Sequence, residues 1–179
     1  MITQKELLSN ARSDVVALTK IHKEYWNEPR YQILKKFCSG SKKIISVGCG
    51  PKEPVLIGAT HACDITPLSF EYLKKEKWAG QFWVAPCYDA GVSDKEFDVA
   101  VCSEVIEHLP DLELVKKTFL EISRISKKWI ITTPNENVIA PQKQNKKHLQ
   151  FFTPDSIKKI IPFPCKIHTN DHHIYMESL

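Results

Sequence analysis

No two of the six cysteines in this sequence form a C-x-x-C pair. Cys38, Cys49, Cys63, Cys87, Cys102 and Cys165 are scattered, and that spacing excludes a cysteine-built zinc site. Several lie inside or beside apolar, strand-like runs, so they read as reduced, buried thiols. No apolar run approaches the length of a membrane span. The opening residues from Met1 to Glu6 are polar and lack a signal-peptide core. A soluble, cytoplasmic protein with no membrane contact is expected. There is no internal repeat. Nothing fits G-x-x-x-x-G-K-[ST], so a Walker-type phosphate loop is excluded. Strong charge of one sign is also missing. The net charge is +4 and the pI near 8.7, which is short of a dedicated nucleic-acid binder.

The 179 residues, 42% apolar and 26% charged, have the size and composition of one globular domain, 1–179. A chain of this length buries a substantial core without staples and has little room for a separate substrate domain. Thr3 and Glu6 form a T-x-x-E capping pattern that starts a helix running to about Ile21. A second helix follows Pro29 through Tyr31, Ile33, Leu34 and Phe37 and stops at Gly40.

Five short apolar runs then read as strands: Lys43–Val47, Thr60–Asp64, Gln81–Ala85, Phe97–Cys102 and Trp129–Thr133. Helices separate them. Thr66 and Pro67 open one, Asp111 caps another carrying Leu112, Val115, Phe119, Ile122 and Ile125, and Thr153 and Pro154 open a last. Two short strands follow near Lys166–His168 and His173–Met176. The polar, lysine-rich stretch Gln142–Lys147 reads as a surface loop. Alternating strands and helices predict an α/β fold, a parallel sheet with helices on both faces. Ligands in such sheets bind beyond the strands' carboxyl ends.

The first strand runs into Gly48-Cys49-Gly50. Glycines there let the chain turn sharply and let a ligand approach the backbone, although a plain tight turn would look the same. Asp64 ends the second strand, where a carboxylate can accept both hydroxyls of a ribose. Asp89 follows the third strand, where it can meet an adenine edge, and Glu104 closes the fourth. A dinucleotide loop would want a third glycine, but Glu53 holds that position and Pro51 removes an amide donor. A carboxylate beside a pyrophosphate is repulsive. A cofactor with no phosphate and two cationic groups, S-adenosylmethionine, suits this turn better.

These blocks, in order, resemble the class I S-adenosylmethionine-dependent methyltransferase superfamily over about residues 42–160. They are Ile45–Gly50, Cys63–Pro67, Asp89-Ala90, Phe97–Asp111 and Thr133–Asn135. The resemblance implies a Rossmann-like three-layer sandwich, a mostly parallel seven-stranded sheet with the last strand antiparallel. It implies an N-terminal helical lid, 1–40, over a core at 42–179, with Tyr25 and Trp26 near the substrate. By the same resemblance Ser46, Gly48, Cys49 and Gly50 line the methionine part. Asp64 and Ile65 hold the ribose, and Asp89 and Ala90 flank the adenine. Ser103 and Glu104 lie near the transferred methyl. The chain departs from the family pattern in three places. Ser46 replaces an acidic residue that contacts the cofactor's amino group, Lys52 replaces a third glycine, and the Gly50–His61 crossover is short. Looser cofactor binding and one less-covered sheet face are the expected results.

Candidate catalytic groups are Glu104, His108 and His148, with Glu107 beside them. Glu104, Glu107 and His108 are spaced to share one face of a helical turn. With His148 they also resemble the metal-holding set of small-RNA 2′-O-methyltransferases, and Lys143, Lys146 and Lys147 would suit a phosphate backbone. The leading expectation is methyl transfer to a small-molecule acceptor with no resident metal. The alternatives are a metal-assisted RNA ribose methyltransferase and a non-catalytic partner that keeps the fold.

Overall fold

A computed structural model describes residues 4–20, 28–138, 147–170 and 172–179. The strands are β1 (Ile44–Val47), β2 (His61–Asp64), β3 (Gln81–Val84), β4 (Phe97–Ser103), β5 (Ser126–Pro134), β6 (Lys166–Thr169) and β7 (His173–Glu177). They form one sheet in the order β3-β2-β1-β4-β5-β7-β6. Strands β1 to β5 pair in parallel, and β7 runs antiparallel between β5 and β6. The fold is thus the Rossmann-like, mostly parallel seven-stranded sheet that the motifs imply, with the last strand reversed.

Burial explains the order. All four residues of β1 are buried, as a central strand covered on both faces requires. The edge strands β3 and β6 are largely exposed and carry polar ends such as Gln81 and Lys166, which discourages edge-to-edge pairing. One face is packed by α5 (Leu112–Ile125), whose Val115, Phe119, Ile122 and Ile125 meet Ala100, Cys102, Trp129 and Ile131. Asp111 caps α5 as expected, its Oδ1 accepting from the Leu114 N–H at 2.8 Å. Thr153 caps α6 (Pro154–Lys158) with a reciprocal bond to Ser156. The helix α4 (Leu68–Lys75) begins one residue later than expected. Thr66 Oγ1 still accepts from the Leu68 N–H at 3.3 Å.

The N-terminal helices divide their work. α1 (Gln4–Thr19) lies above the carboxyl ends of the strands. α2 (Pro29–Cys38) instead packs on the sheet. Its Tyr31, Leu34 and Cys38 join Ile44, Val99, Val101, Ile130 and Tyr175 in one core cluster. The crossover after β1 holds only the five-residue α3 (Glu53–Ile57), stopped by Gly58 in the left-handed conformation. A helix that short cannot cover its face, and α2 fills the gap beside it. Thr3, Ile21, Tyr25 and Trp26 lie outside the described residues. Among the described residues, no helix is long and apolar enough to cross a membrane.

Candidate functional site

The strand order reverses between β1 and β4, which makes their carboxyl ends the topological switch point. A cleft opens there. Gly48 has φ +68°, and a Cβ added to it would lie 2.5 Å from Val105 Cγ2. Both the left-handed backbone and the close approach therefore require glycine. Gly50 has φ +56° and lies beneath Leu18 of α1.

Asp64 fastens this turn to β2. One carboxylate oxygen accepts from the Gly50 N–H at 2.9 Å, and the other accepts from the Thr66 N–H at 3.0 Å. The residue is buried, and burial pushes its carboxyl up from the usual range. Cys49 Sγ lies 4.0 Å from the first of these oxygens, so the carboxylate is engaged chiefly with the turn itself. Asp64 and Ile65 line the nucleoside-sized part of the cleft, together with Pro86, Cys87 and Tyr88 after β3. Asp89 and Ala90 do not line it. Asp89 is exposed, while Ala90 is buried with its N–H given to Glu121 at 2.8 Å and its carbonyl taken by Trp83 Nε1 at 2.8 Å.

The roof is one face of α1. Leu7, Asn10, Ala11, Asp14 and Leu18, spaced at three and four, all line the cleft. Lys147 ties the roof to the loop before α6, 2.6 Å from Ser13 Oγ and 2.5 Å from Asp14 Oδ1.

Past the glycines the cleft continues into a charged end lined by Arg30, Tyr31, Cys49, Glu53, Ser103 and Glu104. Ser46 is fully buried behind it and donates to Glu53 Oε1 at 2.7 Å. Burial, the largest effect, raises the Glu53 carboxyl to about 7 against the Ser46 bond and the Arg30 charge.

The shape is that of an elongated site, with a nucleoside pocket at one end and paired acid and base at the other. A family model described as a methyltransferase domain matches residues 20–161. The chain belongs to the class I S-adenosylmethionine-dependent methyltransferase superfamily. The fold agrees with solved methyltransferases. The N-methyltransferase NodS from Bradyrhizobium japonicum WM9, in complex with S-adenosylhomocysteine, is 9% identical, with a TM-score of 0.72 over 96% of each chain. The DhpI–S-adenosylhomocysteine complex is 12% identical, with a TM-score of 0.70 over 96% of this chain and 93% of DhpI. The methyltransferase domain of bacterial CtHen1 is 18% identical, with a TM-score of 0.62 over 85% of this chain and 98% of that one. No curated protein matches the sequence.

In this methyltransferase the groups expected to do chemistry separate into two sets. Glu104 has φ +57°, a left-handed conformation that costs a non-glycine residue energy. Glu104 is not one of the groups whose ligand atoms converge at the Ile106–His108 turn, although its charge still acts on Glu107 and His148. Its carboxylate meets Thr132 Oγ1 at 2.9 Å, Arg30 at 3.2 Å and His173 at 3.6 Å. Thr132 Oγ1 also lies 2.9 Å from Ser103 Oγ.

Glu107, His108 and His148 do converge, each offering a ligand atom within 4.8 Å of the others. The Glu107 carbonyl brings His148 in by accepting from the N–H groups of Leu149 at 2.7 Å and Gln150 at 3.0 Å. Glu107 is almost fully buried, and burial raises its carboxyl well above the usual range. Thr133 donates to one of its oxygens at 3.2 Å, and the other has no hydrogen-bond partner among the described residues. Nor does His148 Nδ1. Burial, then the neighbouring His108, lowers His148 to about 4, so its ring is neutral at physiological pH. Lys143 and Lys146 lie outside the described residues, and Lys147 faces Asp14 and Ser13 rather than open solvent.

Three site residues were missed in the sequence. Arg30 and Tyr31 sit in a helix whose apolar spacing says only that one side is buried. Glu53 is seven positions from Ser46, and its signal was the acid missing at 46 with a new one close by.

Proposed function

We propose that the protein transfers the methyl group of S-adenosylmethionine to a small-molecule acceptor bound beside Glu104, His108 and His148. The observation that carries this is the roofed cleft. α1 and Lys147 cover the nucleoside part, and a covered cleft of this kind suits a small acceptor. The bound cofactor supplies an electrophilic methyl group on a sulfonium. The chain's residues supply orientation and the exclusion of water. Asp64 holds the nucleoside, and the glycine turn lines the methionine part. Glu104, fixed by Arg30, Thr132 and His173, presents a negative edge near the reacting centre. His108, with the neutral His148 beside it, is placed to accept a proton from the acceptor's nitrogen or oxygen. NodS, similar in fold, is an N-methyltransferase, which accords with nitrogen as the acceptor atom. A screen of small amines and alcohols with radiolabelled cofactor tests the proposal. Label transferred to a small acceptor by the isolated chain is the expected result. Transfer only to RNA, or no turnover on any acceptor, refutes it, and the latter favours a non-catalytic partner.

A second reading rests on the convergence of Glu107, His108 and His148. Two of these groups have buried atoms without hydrogen-bond partners among the described residues, Glu107 Oε1 lying 3.9 Å from His108 Nε2 and His148 Nδ1 lying 3.9 Å from Glu136 Oε1, and a divalent cation would satisfy both. The three would hold it, and the ion would polarise a ribose hydroxyl, making the chain a metal-assisted RNA 2′-O-methyltransferase. Glu104 would not complete the set, because it is turned to Arg30. Mn²⁺ binding that is lost in His148→Ala would support this reading. Methyl transfer unchanged by a chelator would exclude it.

A further inference from the structure

The charged end of the cleft has a use beyond shape. Glu53 stands at the start of α3, 6% exposed, with one carboxylate oxygen held by Ser46. Arg30 lines the same end from α2, 2% exposed. Buried charges of opposite sign at one end of a ligand cleft match a zwitterion, and the amino-acid tail of S-adenosylmethionine is one. Ser46 is neutral and does not line this end of the cleft. It can only orient the acid that does.

We infer that Glu53 is the ammonium anchor of the cofactor, positioned by Ser46, with Arg30 facing the cofactor's carboxylate. The carboxylate that methyltransferases of this kind carry at the end of the first strand has moved here to the first turn of the next helix. This rests on the cofactor reading above. It makes Glu53 a specificity residue, since it separates ligands that have the amino-acid tail from nucleosides that lack it.

The groups around Glu53 are the Arg30 cation, the Glu104 carboxylate, the Ser46 and Ser103 hydroxyls and the thiols of Cys38, Cys49 and Cys102. Burial raises all three thiols, so none titrates near neutrality. Near pH 7 the empty cleft holds Glu53 partly protonated, and docking of an ammonium expels that proton.

Calorimetry on the full chain compares S-adenosylhomocysteine with 5′-methylthioadenosine, the same nucleoside thioether without the amino-acid group. Wild type should prefer the former. Its binding heat at pH 7 should change with the ionisation enthalpy of the buffer. Glu53→Gln keeps the volume and the Ser46 contact. It should weaken S-adenosylhomocysteine roughly 10–100-fold, as loss of a charged hydrogen bond does, abolish the buffer dependence and leave methylthioadenosine unchanged. Adding Ser46→Asp to that variant returns the charge to the strand end and should restore the preference.

Equal weakening of both nucleosides in Glu53→Gln would reduce Glu53 to a structural role and overturn the inference. So would unchanged binding of S-adenosylhomocysteine. Wild type that binds both equally and without proton release would overturn the inference while the cofactor reading stands, even if the variant fails to fold. Wild type that binds neither would overturn both.

Discussion

Gly48 is constrained twice, by its left-handed backbone and by Val105 packed where a side chain would be. Gly48→Ala should therefore cost more than about 1 kcal/mol of stability, read by urea unfolding, and displace the Val105 segment that leads to His108. Glu53 gives a pH prediction. An acid whose carboxyl is raised by burial favours the fold while protonated. That contribution is full below the unfolded value of 4.5 and is lost as pH rises toward about 7. The melting temperature of the empty protein should fall over that window, and fall less in Glu53→Gln. A profile that is the same in both would contradict the assignment. The residues also show where sequence reading stops. Asp64 was legible because a strand-end carboxylate after a glycine turn has a defined place. The bend at Glu104 was not, since nothing in a non-glycine residue announces a positive φ. Its spacing to Glu107 and His108 therefore suggested a convergence that its ligand atoms do not join.

At the scale of elements, strands were the easiest to read. Short β-branched runs ending in glycine or acid have few other uses, and the structure shifts their ends by a few residues. Caps were equally legible at Asp111 and Thr153, because a side-chain acceptor before an apolar helix is a local device. Asp111→Ala should cost about 1 kcal/mol, measured by chemical denaturation. The place of α2 was not legible. Its apolar spacing shows that one side is buried without saying against what, and only the five-residue α3 makes a sheet face available to it. The contact between α1 and Lys147 is likewise long-range. Asp14 and Lys147 are both partly exposed, so Asp14→Ala should leave stability within about 1 kcal/mol. It should speed release of S-adenosylhomocysteine roughly fivefold in stopped-flow measurements, the kinetic equivalent of that same energy. An unchanged release rate would mean that α1 is held over the cleft by packing alone.

For the whole molecule, the sheet places the glycine turn, Asp64 and Glu104 at the carboxyl ends of β1, β2 and β4. α1 then covers the cleft, while α2 completes the core and lends Arg30 and Tyr31 to the charged end. The overall fold was legible because strand–helix alternation and the order of the motifs constrain the topology together. The charged end was not, because it is assembled from α2, α3 and β4, which lie far apart in the chain. The central claim is that this cleft holds S-adenosylmethionine by Asp64 and the glycine turn. Titrating S-adenosylhomocysteine into the wild-type chain and into Asp64→Ala tests it directly. Saturable one-to-one binding that is lost in the variant, with both chains folded, is the predicted result. No binding by wild type at millimolar ligand, or equal binding by both, would contradict it.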